Sequence, residues 1–491
     1  MGNGTCHRGP DRAGISLRQR HGLRDRRRHH GARGSITVVT TIDRQWVARH
    51  LLLLEAPIPE AVSSALGRLL ADTVAIAAYA RRHQVGGTQM DSTLAQPASP
   101  GCSVWGASLR TDPARAALLN GTAAEALDFQ EVLINPRNNG HAAVVIIPAI
   151  LALAEHHGVV GERLLRALWI AFAANISLAE ALGRGHRSAQ AGFRTTSLIA
   201  PVAAALGCSA LLDDDLDRVC HGTAIAASSL SAGLLSALSP KVGSYSQDKD
   251  LAVGFSAQHA VQSVLLAQAG ATGPSAFLTG EHGWLASFGF DTAQVDFLSG
   301  NPLTKSLDSF AIKPYPACFG CQTAIRLALE LRQQVPAGQV VSIVVQVNGG
   351  SARSLSTRLI ENDLAARFSL PYVVASAFVR GRAALEDFEG EALVDESVLA
   401  FMSRVHIQAS AEMDQQQARS GGFPAALRVH ALTGEVVELA YDGPYAALDR
   451  GGRDGLLQGK LQALCDAPLL ARLQAVLDAP SHAERLFGVG A

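Results

Sequence analysis

From Ile42 to about Leu298, apolar residues return every three or four positions almost without a break, in 47–54, 62–79, 114–127, 141–156, 164–182, 197–206 and 216–235. A stripe with that period is buried only if the segments are helices packed on one another. The pattern therefore predicts a large all-helical domain over residues 42–302. Small residues are abundant in these segments, which lets helices approach closely. The aromatic content of 5% leaves the core to Ala, Leu, Val and Ile. Gly158-Val159-Val160-Gly161 and Gly273-Pro274 mark helix ends.

After Asn301-Pro302 the pattern changes. Residues 339–347 (QVVSIVVQV) are β-branched and strand-like, 404–409 (RVHIQA) form a second strand candidate, and 427–432 with 435–441 read as a hairpin around Thr433-Gly434. Helical stretches at 322–331 and 371–379 lie between them. Residues 303–442 are expected to form a smaller α+β lid domain. Beyond Asp442-Gly443-Pro444 the chain is helical again, at 456–464 and 469–477, and residues 443–491 are expected to pack back on the helical domain. The fold class expected is mainly α with a smaller α+β domain.

A chain of 491 residues with 48% hydrophobic and 17% charged content can bury large cores. Lys+Arg 42 against Asp+Glu 43 leaves a net charge of -1, so overall charge points neither to nucleic acid nor to an acidic membrane surface. The longest uninterrupted apolar runs, such as 142–154 with Pro148 inside it, fall short of the roughly 18 residues of a spanning helix. No membrane partner is expected. Seven irregularly spaced cysteines do not form a disulfide framework, and a reducing cytoplasm is the expected location. Cys318-Phe319-Gly320-Cys321 is a lone CxxC, so no metal site is expected. The first 36 residues hold nine arginines, four histidines and few apolar side chains. They read as a disordered basic extension without the apolar core of a secretory signal.

One stretch carries ionisable groups in a place where they can act. Asp128 follows a helix-like segment, and His141 opens the apolar run AAVVIIPAILALAE; Asn135-Pro136 and Asn139-Gly140 break the chain between them. Asp128 is thus expected at a helix C-terminus and His141 at a helix N-terminus, where free N–H groups and the helix dipole favour an anion such as a carboxylate. The plainer alternative is a pair of helix caps. Three further places add cations in loops. Arg194 precedes Thr195-Thr196-Ser197 at the start of a helix, Lys249 lies in Tyr245-Ser246-Gln247-Asp248-Lys249, and Lys313 lies in Ile312-Lys313-Pro314-Tyr315-Pro316. Each alone is weak, because a loop cation is usually just solvated.

Together these phrases resemble the MmgE/PrpD family. The resemblance rests on Leu119-Asn120-Gly121-Thr122-Ala123 with Leu127-Asp128-Phe129; Gly140-His141 with Pro148-Ala149; Gly192-Phe193 with Thr196-Ser197; Lys249 with Leu251 and Gly254; Thr272-Gly273-Pro274; Lys313-Pro314-Tyr315-Pro316-Ala317; and Phe368-Ser369-Leu370-Pro371-Tyr372. The phrases run in the family's order from about residue 45 to the C-terminus. The resemblance implies a helical domain with a smaller α+β lid, a homodimer, and reactions on small di- or tricarboxylates without metal or organic cofactor. It marks Asp128, His141, Lys249 and Lys313 as catalytic, and we add Arg194, Thr195 and Gln322 as substrate-binding candidates. Lys249 and Lys313 are expected to hold carboxylates or an enediolate-like charge. His141 is the natural proton carrier, with Asp128 orienting it or acting as a base.

Two departures matter. Dehydratase- and decarboxylase-like members usually have His where this chain has Arg194, and Asp-Asp-Thr where it has Gln130-Glu131-Val132. Arginine stays protonated at neutral pH, so Arg194 cannot shuttle protons, although it can clamp a carboxylate. Cys321-Gln322-Thr323-Ala324 resembles the dehydratase branch. The function expected first is a hydro-lyase resembling 2-methylcitrate dehydratase. The alternatives are a dicarboxylate epimerase or isomerase, a cis-aconitate-type decarboxylase, and a member that binds a carboxylate without turning it over.

Overall fold

The first described turn shows how local chemistry starts a helix. The Thr41 side chain accepts the Arg44 N–H and opens α1 (Ile42–Leu51). The computed structural model describes residues 41–489 apart from 95, 138, 183–191, 214, 230–231, 239–243, 289–294 and 446–449. The expected extension over residues 1–36 lies outside them. The fold is mainly helical with a smaller sheet portion, as the pattern predicts.

The helical part is built from α2 (Glu60–Arg82), α3 (Pro113–Glu125), α4 (Ala143–His157), α5 (Gly161–Leu182), α6 (Thr195–Leu212), α7 (Leu216–Ser228) and α8 (Asp248–Gln268). Their apolar faces share one large core containing Trp46, Trp169 and Phe172. The expected helix over 216–235 stops at Ser228. Three of these helices, Glu60–Arg82, Gly161–Leu182 and Thr195–Leu212, are long and apolar enough to cross a membrane by length and composition. The run-based reading did not register them, because single polar residues such as Asp72 break a run without making the helix polar. Between 78 and 89% of their apolar windows is buried inside the protein.

The pair α3 and α8 sets up the site. A Cβ on Gly254 would lie 2.2 Å from Thr122 Oγ1 and 2.5 Å from the Leu118 carbonyl oxygen, so the two helices meet backbone to backbone. This close antiparallel approach puts Lys249, at the start of α8, beside Glu125, at the end of α3.

The strand β1 (Val132–Leu133) pairs antiparallel with β2 (Phe310–Ala311), matching Val132 with Ala311 and Leu133 with Phe310. This short ladder brings the 128–141 segment alongside the approach to Lys313. Next come α9 (Phe319–Gln334), β3 (Val340–Val347), α10 (Gly349–Ser354), α11 (Leu370–Arg380), α12 (Glu396–Met402), β4 (Val405–Ala409), β5 (Ala425–Ala431) and β6 (Val436–Tyr441). The sheet order is β4-β3-β5-β6, parallel between β3 and β4 and antiparallel elsewhere. Gly434 turns the β5–β6 hairpin at φ 84°. Helices α9 and α11 cover this sheet around a second cluster of buried side chains. Finally α13 (Arg450–Leu464) and α14 (Ala467–Asp478) pack against α2.

Candidate active site

Helix α3 ends at Glu125, and the chain then turns sharply. Asp128 carries φ 48°, a left-handed conformation that costs a non-glycine residue energy and persists only where its surroundings hold it. The surroundings here are buried cations. Lys249 donates to the Glu125 carbonyl at 3.1 Å, Arg367 to Leu127 at 2.9 Å, Lys313 to Asp128 at 2.8 Å and Lys460 to Phe129 at 2.6 Å. Positive charge at the carbonyl end of a helix is the favourable sense of the helix dipole.

The side chains close the cluster. Lys249 Nζ lies 3.0 Å from Glu125 Oε1, 3.3 Å from Asp128 Oδ1 and 3.5 Å from Asp250 Oδ1. Lys313 Nζ lies 3.3 Å from Asp128 Oδ2. Arg194 donates to Glu125 Oε1 at 2.8 Å and to the Lys249 carbonyl, and Gln130 donates to Glu125 Oε2 at 2.7 Å. Burial alone would raise the Asp128 carboxyl, but Lys313 and Lys249 outweigh it and hold it well below the usual carboxylate range. Glu125 is lowered in the same way, with Lys249 and Arg194 overcoming its burial. Burial opposes the charge on Lys249, yet Glu125, Asp128 and Asp250 keep its ammonium above the ordinary lysine value.

His141 stands next to this cluster. Its Nδ1 contacts the Glu131 carbonyl oxygen, which can only accept, so Nδ1 carries the hydrogen and Nε2 of the neutral ring keeps a lone pair. Burial, reinforced by Lys313, pulls its pKa down to about 4, so the ring is neutral at pH 7. The expectation that the helix after His141 offers its N-terminus to a ligand is not met. Glu131 Oε1 accepts the Ala143 N–H at 2.8 Å and Thr196 Oγ1 accepts the His141 N–H at 3.1 Å, so the protein caps that end itself. Burial, with Asp72 and Glu125 nearby, pushes Glu131 up to about 8.

A cavity of about 380 Å³ opens onto these groups. Asp128, His141, Lys249, Lys313, Arg194 and Thr195 all line it, as does Glu125. The helices α6 and α9 begin at its wall, through Thr195 and Thr196 and through Phe319 and Gly320. Val132 lines the cavity, whereas Gln130 and Glu131 turn inward. Gln322 is the correction among the binding candidates. It does not line the cavity, and its amide is occupied by the backbone, donating to Tyr315 and Ala317 at 2.8 and 2.7 Å and accepting from Tyr315 N–H at 3.0 Å. Arg194 reaches the cavity only as a guanidinium already engaged by Glu125. Cys318 also lines the wall, but burial pushes its thiol up to about 11, so it is no thiolate at neutral pH.

Sequence reasoning missed Glu125, Glu131, Asp250, Arg367 and the Asp72–Lys460 pair. The signal for Glu125 was a lone carboxylate in an otherwise apolar and small-residue helix segment. For the others no local pattern distinguished a buried charge from a surface one.

Residues 52–296 match the MmgE/PrpD N-terminal domain and residues 315–478 match the MmgE/PrpD C-terminal domain. Over 319 residues the chain is 22% identical to a cis-aconitate decarboxylase of Mus musculus, a span that covers 62% of this chain and 63% of the mouse protein. With both domains present in order over most of its length, this protein belongs to the MmgE/PrpD family.

Proposed function

We propose that this protein is a cofactor-independent hydro-lyase for a small di- or tricarboxylic acid. The observation that carries the reading is one cavity lined by His141, Lys249 and Lys313, with His141 Nδ1 turned to the Glu131 carbonyl oxygen. In this reading His141 Nε2 removes a proton from the carbon next to a carboxylate. The electron pair moves into that carboxylate, and the ammonium groups of Lys249 and Lys313 stabilise the enediolate charge. The electrons then return to form the carbon–carbon double bond as the β-hydroxyl leaves, protonated by the imidazolium. Water and an unsaturated acid result, and His141 is again neutral. Asp128, held in its charged form by Lys313 and Lys249, fixes both ammonium groups. The N-termini of α6 and α9 at the cavity wall suit the remaining carboxylates.

A decarboxylase is the second reading, favoured by the similarity to the mouse protein. The same cations would hold the charge left by departing carbon dioxide, and His141, after taking a proton from water, would deliver it to the carbon. Incubation in deuterated water with 2-methylcitrate, citrate, cis-aconitate, malate-type acids and iminodisuccinate, followed by proton NMR, separates the possibilities. Loss of water from a hydroxy acid supports the lyase, and carbon dioxide release replaces it with the decarboxylase. Deuterium entering the α-position with inversion and without water loss identifies an epimerase. Binding without turnover of any of these acids overturns the enzymatic reading.

A further inference from the structure

Lysine is scarce in this chain. It has five lysines, Lys241, Lys249, Lys305, Lys313 and Lys460, against 37 arginines. Three of the five, Lys249, Lys313 and Lys460, are buried together, with side chains no more than 3% exposed. Lys249 and Lys313 face the cavity. Lys460, projecting from α13 near the C-terminus, does not line it. Its ammonium lies behind the wall, 2.6 Å from Asp72 Oδ1 on α2, 2.6 Å from the Phe129 carbonyl oxygen, 3.5 Å from the Lys313 carbonyl oxygen and 3.9 Å from the centre of the Phe129 ring.

A buried ion pair of this kind is an expensive way to hold a fold together. Burial pulls Lys460 down to about 8 in spite of Asp72, and it raises Asp72 in spite of Lys460, so both partners are pushed toward their neutral forms. Apolar side chains of similar size often do as well or better for stability. Its position suggests a different use. The two carbonyls that Lys460 reaches belong to the residue after Asp128 and to Lys313 itself, which are the two segments whose side chains meet at 3.3 Å in the site. A compact point charge fits between two backbones where a planar guanidinium needs more room.

We propose that Lys460, anchored by Asp72, is a positioning residue of this site that sets the separation of Asp128 and the Lys313 ammonium. It touches no substrate. Its action runs through the Phe129 and Lys313 carbonyls, and it links helix α13 to the two segments that carry Asp128 and Lys313.

With five lysines, protein labelled with ¹³C at lysine Cε offers at most five resonances, and Lys313 is assigned by its loss in Lys313→Arg. In Lys460→Met, and in the doubly neutral Lys460→Met/Asp72→Asn, the Lys313 resonance is expected to shift or broaden while that of Lys305, paired with Glu180, stays in place. The double variant leaves no buried charge without a partner, so it is expected to melt near the parent temperature. Asp72→Asn, which hardly changes side-chain size, decides the matter if the others do not fold. A folded variant whose Lys313 and Lys249 resonances superimpose on the parent's overturns the proposal. On a substrate that is turned over, kcat is expected to fall about tenfold or more with KM changed less than about threefold, the pattern of a lost transition-state arrangement. The resonance measurement needs no substrate. Failure of every acid to react therefore counts against the lyase reading alone, whereas an unmoved Lys313 signal counts against the role of Lys460 alone.

Discussion

Asp128 shows how far a single residue depends on its neighbours: a left-handed backbone, a fully buried carboxylate and two lysines hold one another in place. His141 and Lys249 are the residues whose loss should be felt most directly in chemistry. Lys249→Ala and His141→Ala are each expected to cost about 2 kcal/mol or more of transition-state stabilisation, roughly thirtyfold in kcat/KM, measured on whichever acid reacts. Near-normal rates in both would move the site elsewhere. Glu131 permits a test by pH. Its carboxyl titrates near 8 in the folded protein and near 4.5 in the unfolded chain. The folded state therefore binds the proton more tightly, and this contribution to stability is fully present below pH 4.5 and is lost as pH rises through about 8. Glu131→Gln cannot ionise. Its stability relative to the parent should rise steadily between pH 4.5 and 8 and level off beyond, as read from urea unfolding at several pH values. A difference independent of pH would mean that Glu131 is ionised throughout.

At the scale of elements, the meeting of α3 with α8 governs the site because it aligns Glu125 with Lys249. Gly121 and Gly254 make that contact possible: a Cβ on Gly121 would lie 3.2 Å from the Gly254 Cα. Gly254→Ala forces the backbones apart and should destabilise the protein by about 2 kcal/mol, within the usual range for overpacking. It should also weaken activity, since the Lys249–Glu125 pair at 3.0 Å lies little more than one helical turn away. A variant with the parent melting temperature and rate would show that the helices can give way at no cost. The strands β1 and β2, only two residues each, were invisible to pattern reading because two residues have no period. They are nonetheless what brings residues 128–141 next to Lys313.

Over the whole molecule, the basic extension is the part expected to contribute least. A chain lacking residues 1–36 should keep its activity within about twofold, a change too small to count as a lost transition-state contact; a large loss would assign that segment a role. The helical periodicity of residues 42–302, the strand-like stretches from 339 to 441 and the ends of most helices were legible because burial imposes periods of 3.6 and 2 on any sequence that forms these elements. Asp128, His141, Lys249 and Lys313 were singled out through phrases that resemble a family, and the structure lines one cavity with them. The sequence by itself thus determined the fold class and picked out the cations and histidine that the structure brings to one cavity. Only the tertiary structure decided that Glu125 pairs with both Arg194 and Lys249, that Glu131 fills the helix N-terminus after His141, that Gln322 serves the backbone, and that Asp72 and Lys460, 388 positions apart, meet behind the cavity. The reason is physical: a charged side chain looks the same in a sequence whether water or a buried partner balances it, and which of the two it meets depends on long-range packing that no local pattern encodes.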